Sequence, residues 1–123
     1  MNKLLTTLLT AGLLAFAATT TASAQTTPKT VIHVVTVKFK AEATPAQIKA
    51  ALDGVVALPS KYKGIKHVWV KSIKVQGDKT HAFVMEFADE AALKAYTDSA
   101  AQKEWYQVYL PIRDESTTFD ITN

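Results

Sequence analysis

Hydrophobic residues recur with strand spacing in four segments of the chain. Residues 31–39 are rich in β-branched side chains and predict a first strand that is apolar on both faces. Residues 65–75 and 80–88 predict a second and a third strand, joined by a hairpin turn at Gly77-Asp78-Lys79, and residues 116–121 predict a fourth. The predicted alternation places two sets of side chains on single faces: Ile65, His67, Trp69 and Ile73 in the second strand, and His81, Phe83, Met85 and Phe87 in the third.

Helical spacing fills the intervals between these strands. Thr44, Pro45 and Gln47 form a capping-box start with proline at the first helical position. The helix they open carries an apolar stripe, and Pro59 is expected to end it. The stripe consists of Ile48, Ala51, Leu52, Val55 and Val56.

A second helical region follows the third strand. Asp89 is a suitable cap for a helix that runs through Tyr96. Ser99 and Gln102 then repeat the capping-box spacing and predict a further helical segment, which Pro111 ends. The order of elements is therefore β-α-β-β-α-β, which predicts an α+β, ferredoxin-like domain with a four-stranded antiparallel sheet.

The first strand also predicts how the domain assembles. Val31, Val35 and Val37 lie on one face, and Ile32 and Val34 lie on the other. Helices cover only one face of such a sheet, and a soluble monomer avoids a large exposed apolar patch. We therefore expect a homodimer that packs sheet to sheet.

The first residues have the pattern of a secretory signal. Lys3 precedes an apolar stretch, and small residues lead to Ala22-Ser23-Ala24. We expect a signal peptide at 1–24 with cleavage after Ala24, a linker at 25–30 and a domain at 31–123. The mature protein is then expected to be periplasmic or secreted, with no stable membrane association after cleavage.

Composition narrows the chemistry. The chain has 123 residues and no cysteine, which excludes disulfides and thiolate metal sites. A net charge of +3 with scattered lysines gives no reason to expect a nucleic acid partner. Three histidines show no metal-ligand spacing, and no glycine-rich phosphate loop is present, so we expect no metal and no cofactor.

Short motifs along the chain resemble the stress-responsive A/B barrel domain (Dabb) family, within the dimeric α/β barrel superfamily. They are His33-Val34-Val35-Thr36-Val37-Lys38-Phe39-Lys40, Thr80-His81 with Glu86-Phe87-Ala88-Asp89, Ala95-Tyr96, and Thr118-Phe119-Asp120-Ile121. The resemblance implies a ferredoxin-like subunit in a symmetric dimer with a pocket between sheet and helices. It also implies that His33, His81 and Tyr96 have roles in that pocket, because they match histidine and tyrosine positions of the family.

The same resemblance argues against one activity of the family. In the plant polyketide cyclases, a histidine that acts as catalytic base occupies the position that is Gln102 here. An amide cannot accept a proton near neutral pH, so the cyclase mechanism is not available in its known form. From the residues themselves, Ser99 and Gln102 suit a capping role, and Gln102 has a second potential role in hydrogen-bonding a ligand.

Two interpretations of the polar candidates stay open. His33 and His81 with Tyr96 are either core side chains or part of a ligand pocket in which they act as acid and base. Trp69 and Phe83 are either core or ligand contacts. We predict a binding protein for a small apolar or aromatic molecule, contacted by His33, His81, Tyr96, Gln102, Trp69 and Phe83. The alternative is an enzyme, cyclase-like or like a cofactor-free monooxygenase, that uses Tyr96 with His33 or His81 as catalytic residues.

Overall fold

The computed structural model describes residues 29–123. The predicted signal peptide at 1–24 and most of the predicted linker lie outside the described residues. In chain order the elements are β1 Val31–Phe39, α1 Pro45–Lys61, β2 Ile65–Trp69, β3 His81–Phe87, α2 Glu90–Tyr96, α3 Ala100–Tyr109 and β4 Arg113–Ile121.

The four strands form one antiparallel sheet in the order β2-β3-β1-β4. His33 in the centre of the sheet lies opposite Met85 of β3 and opposite Asp120 of β4. This arrangement confirms the ferredoxin-like prediction. The pairing of β1 with β3 and with β4 thus fixes which side chains of these three strands share a face.

The inner face of the sheet, which is the face covered by the helices, holds the core. Val31, Val35 and Val37 of β1 are buried there beside Phe83 and Phe87 of β3. The helices contribute buried side chains to the same cluster: Ala51, Val55 and Leu58 from α1, Tyr96 from α2, and Ala101, Trp105 and Tyr109 from α3. The alternation predicted for β1 and β3 is confirmed.

Helix α1 begins as predicted but ends later. The Thr44 side chain accepts from the Gln47 backbone N–H, and the Gln47 side chain accepts from the Thr44 backbone N–H at 2.9 Å, so the capping box is complete. Pro59, which was expected to end the helix, lies inside it. Proline removes one backbone donor, but Leu58 is fully buried and its carbonyl still accepts from the Tyr62 N–H at 2.8 Å. Burial of the last turn therefore outweighs the missing hydrogen bond.

Strand β2 differs most from the sequence prediction. It ends at Trp69, and a register shift between Ile65 and His67 reverses the side-chain alternation. Ile65 is buried, whereas His67 and Trp69 lie on the outer face of the sheet, the face opposite the helices. The predicted shared face of Ile65, His67 and Trp69 is therefore wrong, and the predicted strand residue Ile73 is almost fully exposed outside any strand.

Helix α3 packs against α1 through a close contact at Gly54. The Trp105 indole N–H donates to the Ala51 carbonyl at 2.9 Å. A Cβ atom at position 54 would lie 2.6 Å from the Trp105 ring, so only glycine leaves room for it. Gly54 thus leaves the space in which the Trp105 ring packs between the two helices. Among residues 29–123, no helix is long and apolar enough to span a membrane.

Candidate functional site

A cavity of about 260 Å³ lies between the inner face of the sheet and helices α2 and α3. Val35, Phe83 and Met85 form its apolar floor. Its walls come from two helices, from the segment between them and from β4: Leu93, Tyr96, Thr97, Gln102, Trp105, Tyr106, Tyr109, Arg113, Ser116 and Thr118, with His33 from β1. Five of its lining residues are aromatic: Phe83, Tyr96, Trp105, Tyr106 and Tyr109.

Strand β4 gives the cavity its polar side. Ser116, Thr118 and Asp120 lie opposite Val37, Val35 and His33 of β1, and so share the inner face with them. The inner face is therefore apolar on β1 and β3 but polar on β4. No β4 residue was singled out as a site candidate from sequence, although polar side chains at every second position of β4 were a signal for this side of the cavity.

Tyr96 lies at one end of the cavity. Its ring packs 5.3 Å from that of Phe87 and 5.5 Å from that of Tyr62, measured between ring centroids. The side chain is 2% exposed, and its hydroxyl has no hydrogen-bond partner among residues 29–123. Burial raises the pKa of the Tyr96 phenol, which therefore stays protonated at neutral pH. Since buried polar groups are nearly always paired, the free phenol makes Tyr96 a candidate for contact with a further molecule.

Tyr109 lies at the other end and repeats the same feature. Its ring stacks on Trp105 with centroids 4.4 Å apart, and the Arg113 guanidinium lies 5.6 Å from its centroid. The Tyr109 hydroxyl is also buried without a partner among the described residues. Burial raises the pKa of this phenol, while the nearby Ser116 and Arg113 side chains act in the opposite direction.

His33 and Asp120 form a polar pair beside Tyr96. His33 Nδ1 lies 2.5 Å from Asp120 Oδ1. An ionised carboxylate only accepts hydrogen bonds, so Nδ1 carries the hydrogen and Nε2 of the neutral ring is the acceptor. Both residues line a more open cleft of about 720 Å³, which shares His33, Leu93 and Thr97 with the cavity; Asp120 lines only the cleft. The pair therefore lies where the cavity opens toward solvent.

The structure does not bring His33 and His81 together. His33 lies opposite Met85, four residues along β3 from His81, a separation of about 13 Å along the strand. The His81 ring instead packs 5.0 Å from Phe39, and its Nδ1 lies 2.9 Å from Thr80 Oγ1. The strand register therefore separates the two imidazoles, and His81 does not line the cavity.

Of the other predicted ligand contacts, two line the cavity and one lies elsewhere. Phe83 and Gln102 line the cavity. Trp69 is 53% exposed on the outer face and takes no part in the cavity. Its position follows from the register shift in β2, which the sequence pattern does not reveal.

Gln102 makes two hydrogen bonds at the start of α3, and the partner of its side chain differs from the one that a capping box predicts. Its backbone N–H donates to Ser99 Oγ at 3.2 Å, as the capping box predicts. Its side-chain oxygen, however, accepts at 2.7 Å from the backbone N–H of Asp98, one residue before the cap. Asp98 has a φ of 63°, which turns its N–H toward the helix. The Gln102 side chain is thereby held at the cavity wall, with its amide nitrogen not used by this contact.

On the outer face, His67 Nδ1 lies 2.6 Å from Glu86. The hydrogen bond from His67, with a second from Thr30, lowers the pKa of the Glu86 carboxyl. Residues 29–123 contain no group of three or more histidine and acidic side chains placed to hold a metal ion.

Comparison with known proteins identifies the fold and the family. The family model for the stress responsive A/B barrel domain, Dabb, matches residues 31–123, and no curated protein matches the chain in sequence. A Dabb family protein with a ferredoxin-like fold from Mesorhizobium loti superposes with a TM-score of 0.65 at 23% identity, covering 77% of this chain and 97% of the other.

Two further solved structures share the fold at lower identity. A hydroxynitrile lyase from Passiflora edulis has a TM-score of 0.70 at 16% identity, covering 79% of this chain and 95% of the lyase. A dimeric ferredoxin-like protein from Bacteroides fragilis has a TM-score of 0.65 at 16% identity, covering 76% and 96% of the two chains. With the family match over the whole described domain, the resemblance seen in the sequence is confirmed, and the chain belongs to the Dabb family.

Proposed function

We propose that this chain is an exported Dabb-domain protein that forms a homodimer and binds a small apolar or aromatic molecule between sheet and helices. The observation that carries the proposal is the cavity of about 260 Å³, in which Tyr96 and Tyr109 keep buried hydroxyls without partners among residues 29–123. An apolar lining with a few unpaired polar groups is the usual character of a small-molecule site.

The homodimer is supported by the outer face of the sheet. One row of side chains across the four strands is apolar: Trp69, Val84, Val34 and Phe119. Trp69 is 53% and Phe119 60% exposed in the single subunit. A patch of this kind is typical of an interface, and the similar protein from Bacteroides fragilis is described as dimeric. Export rests on the signal pattern that ends at Ala24.

The arrangement around His33 supports an enzyme as the second candidate. The rings of His33 and Tyr96 both pack against Phe87, at 5.9 and 5.3 Å between centroids. With Asp120 holding Nδ1–H, His33 Nε2 is a proton acceptor and the neutral Tyr96 phenol a donor, which is the minimum for acid–base chemistry. His81 has no part in this version, because it lies outside the cavity. The hydroxynitrile lyase of similar fold is an enzyme, so the architecture is compatible with catalysis.

Native mass spectrometry of the exported protein tests the first candidate. We expect a dimer that carries a small adduct. The variant Thr118→Phe should fill the cavity from its exposed β4 side and lose the adduct, whereas the isosteric Thr118→Val should keep it. An adduct that persists in Thr118→Phe would place the ligand elsewhere, and a monomer would contradict the dimer.

Turnover separates the two candidates once the adduct is identified. A binding protein releases that molecule unchanged after prolonged incubation. An enzyme converts it or its precursor, and the conversion should fall by about 100-fold or more in His33→Gln, which cannot accept a proton. Equal turnover in His33→Gln and the unsubstituted protein would exclude the His33 mechanism.

A further inference from the structure

Three hydrogen-bond donors meet at the end of the cavity formed by the start of β4. Arg113 lies opposite Phe39 and Ser116 opposite Val37, whereas Asp120 lies opposite His33 at the far end of the same strand. Tyr109 joins Arg113 and Ser116 from α3. The cavity therefore has one end built from a guanidinium, a hydroxyl and a phenol, whereas Asp120 lines the adjoining open cleft.

The charge of Arg113 is not balanced within the described chain. The two acidic residues that follow it are engaged by lysines, since Asp114 lies 3.4 Å from Lys38 and Glu115 pairs with Lys79. No carboxylate of residues 29–123 lies within 4 Å of the Arg113 guanidinium. Arginine stays protonated at all physiological pH values, so a permanent positive charge borders the cavity.

The second observation is the Tyr109 hydroxyl beside that charge. The Tyr109 side chain is 3% exposed, and its hydroxyl has no hydrogen-bond partner within 3.5 Å among residues 29–123, although the Ser116 and Arg113 side chains lie close enough to lower its pKa. A buried donor of this kind is destabilising unless a further group accepts its hydrogen bond. A phenol and a guanidinium together call for an acceptor that is negatively charged.

We propose that this end of the cavity binds the carboxylate of a small aromatic or apolar monoacid. The inference rests on the proposed binding function and names the ligand class for the same cavity. The planar two-oxygen carboxylate matches the two-pronged geometry of a single arginine. The body of the acid then lies over Phe83 and Met85 and against Trp105.

Charge elsewhere in the cavity limits the ligand to one acidic group. Arg113 is the only lysine or arginine among the described lining residues, so a doubly charged phosphate would be half neutralised. A diacid would likewise leave its second carboxylate without a basic partner among the described lining residues. The site therefore selects a monoacid over a diacid or a phosphate ester.

A matched pair of probes tests the ligand class. 2-Naphthoate and its neutral amide, 2-naphthamide, have almost the same shape, and isothermal titration calorimetry measures both. We expect the unsubstituted protein to prefer the acid, and Arg113→Gln to weaken naphthoate by about 10- to 100-fold while leaving naphthamide unchanged. Arg113→Lys keeps the charge and should retain most of the preference for the acid. Lys103→Gln removes an exposed charge from α3 and should change neither affinity.

Each other outcome contradicts a defined part of the argument. If naphthoate and naphthamide bind equally well and Arg113→Gln affects neither, the acid preference is wrong while binding in the cavity stands. An equal loss of both probes in Arg113→Gln would give Arg113 a role in cavity shape alone. Naphthoate binding that survives Thr118→Phe would lie outside the cavity and contradict the proposed function too. Failure of both probes to bind would overturn the proposed preference for an acid. Whether the cavity binds a ligand at all is then decided by the adduct seen in native mass spectrometry.

Discussion

Both faces of the sheet carry large apolar side chains, yet only one face is covered within the subunit. On the inner face, Phe83 and Phe87 are at most 2% exposed beneath the helices. On the outer face, Phe119 and Trp69 keep more than half of their surface exposed. The inner face therefore accounts for the folding of one subunit, and the outer face leaves an apolar surface for the proposed association with another.

The inner face is itself divided, and this division creates the cavity. Strands β1 and β3 present valine, phenylalanine and methionine to the helices and form a close-packed core. Strand β4 presents Ser116, Thr118 and Asp120 on the same face, where short polar side chains do not fill the space beneath α2 and α3. The composition of a single edge strand thus leaves a cavity beside the core on the same face of the sheet.

The largest effect is expected from a truncation on the inner face. Phe87→Ala removes a fully buried ring in contact with Tyr96 and should lower the free energy of unfolding by about 3–5 kcal/mol. Phe119→Ala, measured by urea denaturation at a concentration where subunits are monomeric, should cost less than about 1 kcal/mol. Equal costs for the two would show that the outer face stabilises the single subunit.

Association should respond in the opposite order. Phe119→Asp removes a ring that lies opposite Val34 and places a charge on the outer face. Loss of about 1.5 kcal/mol of apolar burial from each subunit predicts a dimer dissociation constant at least about 100-fold higher. Sedimentation velocity measures this change. The control Val108→Asp alters an exposed apolar residue of α3 and should leave the dimer intact; dissociation by this variant alone would place the partner over the helices.

A pair of tyrosines sharpens the distinction between core and cavity. The Tyr62 hydroxyl donates to the Ala92 carbonyl at 2.6 Å, whereas the Tyr96 hydroxyl has no partner among residues 29–123. Tyr62→Phe should therefore cost about 1 kcal/mol at neutral pH, and Tyr96→Phe should cost almost nothing but weaken ligand binding. If Tyr96→Phe unfolds the protein and leaves binding intact, Tyr96 belongs to the core alone.

Tyr96 also predicts a pH dependence. Burial raises its pKa in the folded state above the ordinary value of 10.0. The unfolded chain then loses this proton first, so the stability from the neutral phenol is complete below pH 10 and declines as the pH rises further. Thermal melts of Tyr96→Phe should show a shallower alkaline decline than those of the unsubstituted protein. An identical slope for both would show that Tyr96 does not titrate with unfolding.

The sequence predicted those elements whose side-chain pattern continues without interruption. β1, β3 and the three capped helix starts follow from alternation and capping residues that act locally. The shift between Ile65 and His67 is invisible in the pattern, because a bulged strand and a regular one contain the same residue types, and Trp69 was placed on the wrong face for that reason. The separation of His33 from His81 depends on the pairing register between two strands, which residue types alone do not fix.

The site was predicted in part for a related reason. Tyr96, Gln102, Phe83 and His33 line the cavity, and each belongs to an element that was placed correctly. Asp120, Arg113 and Ser116 belong to the edge strand β4 and were not predicted as site residues. Their position is known only once β4 is paired with β1, which places polar β4 side chains on the same face as apolar β1 side chains. Contacts between side chains of two strands can be predicted only when the register between those strands is known.

The smallest expected effect concerns the charged pair on the outer face. Glu86 lies in the row of Ile32 and Ile121, and the hydrogen bond from His67 lowers its pKa in the folded state. A lowered carboxyl pKa contributes stability above the unfolded value of 4.5, and this stability is lost as the pH falls through the folded value. Glu86→Gln should therefore flatten the acid decline below pH 4.5 in thermal melts. Glu42→Gln, at an exposed position outside any helix or strand, should leave the decline unchanged.

The same variant tests whether the pair is covered by the partner subunit. His67 is 68% exposed in the single subunit, so the pair should contribute little when the protein is dilute and monomeric. Covering the outer face would exclude water from the pair and strengthen its hydrogen bond. The acid decline should then be steeper at high protein concentration, and Glu86→Gln should abolish that concentration dependence. A decline that is the same at both concentrations would mean that the dimer leaves this row of the outer face uncovered.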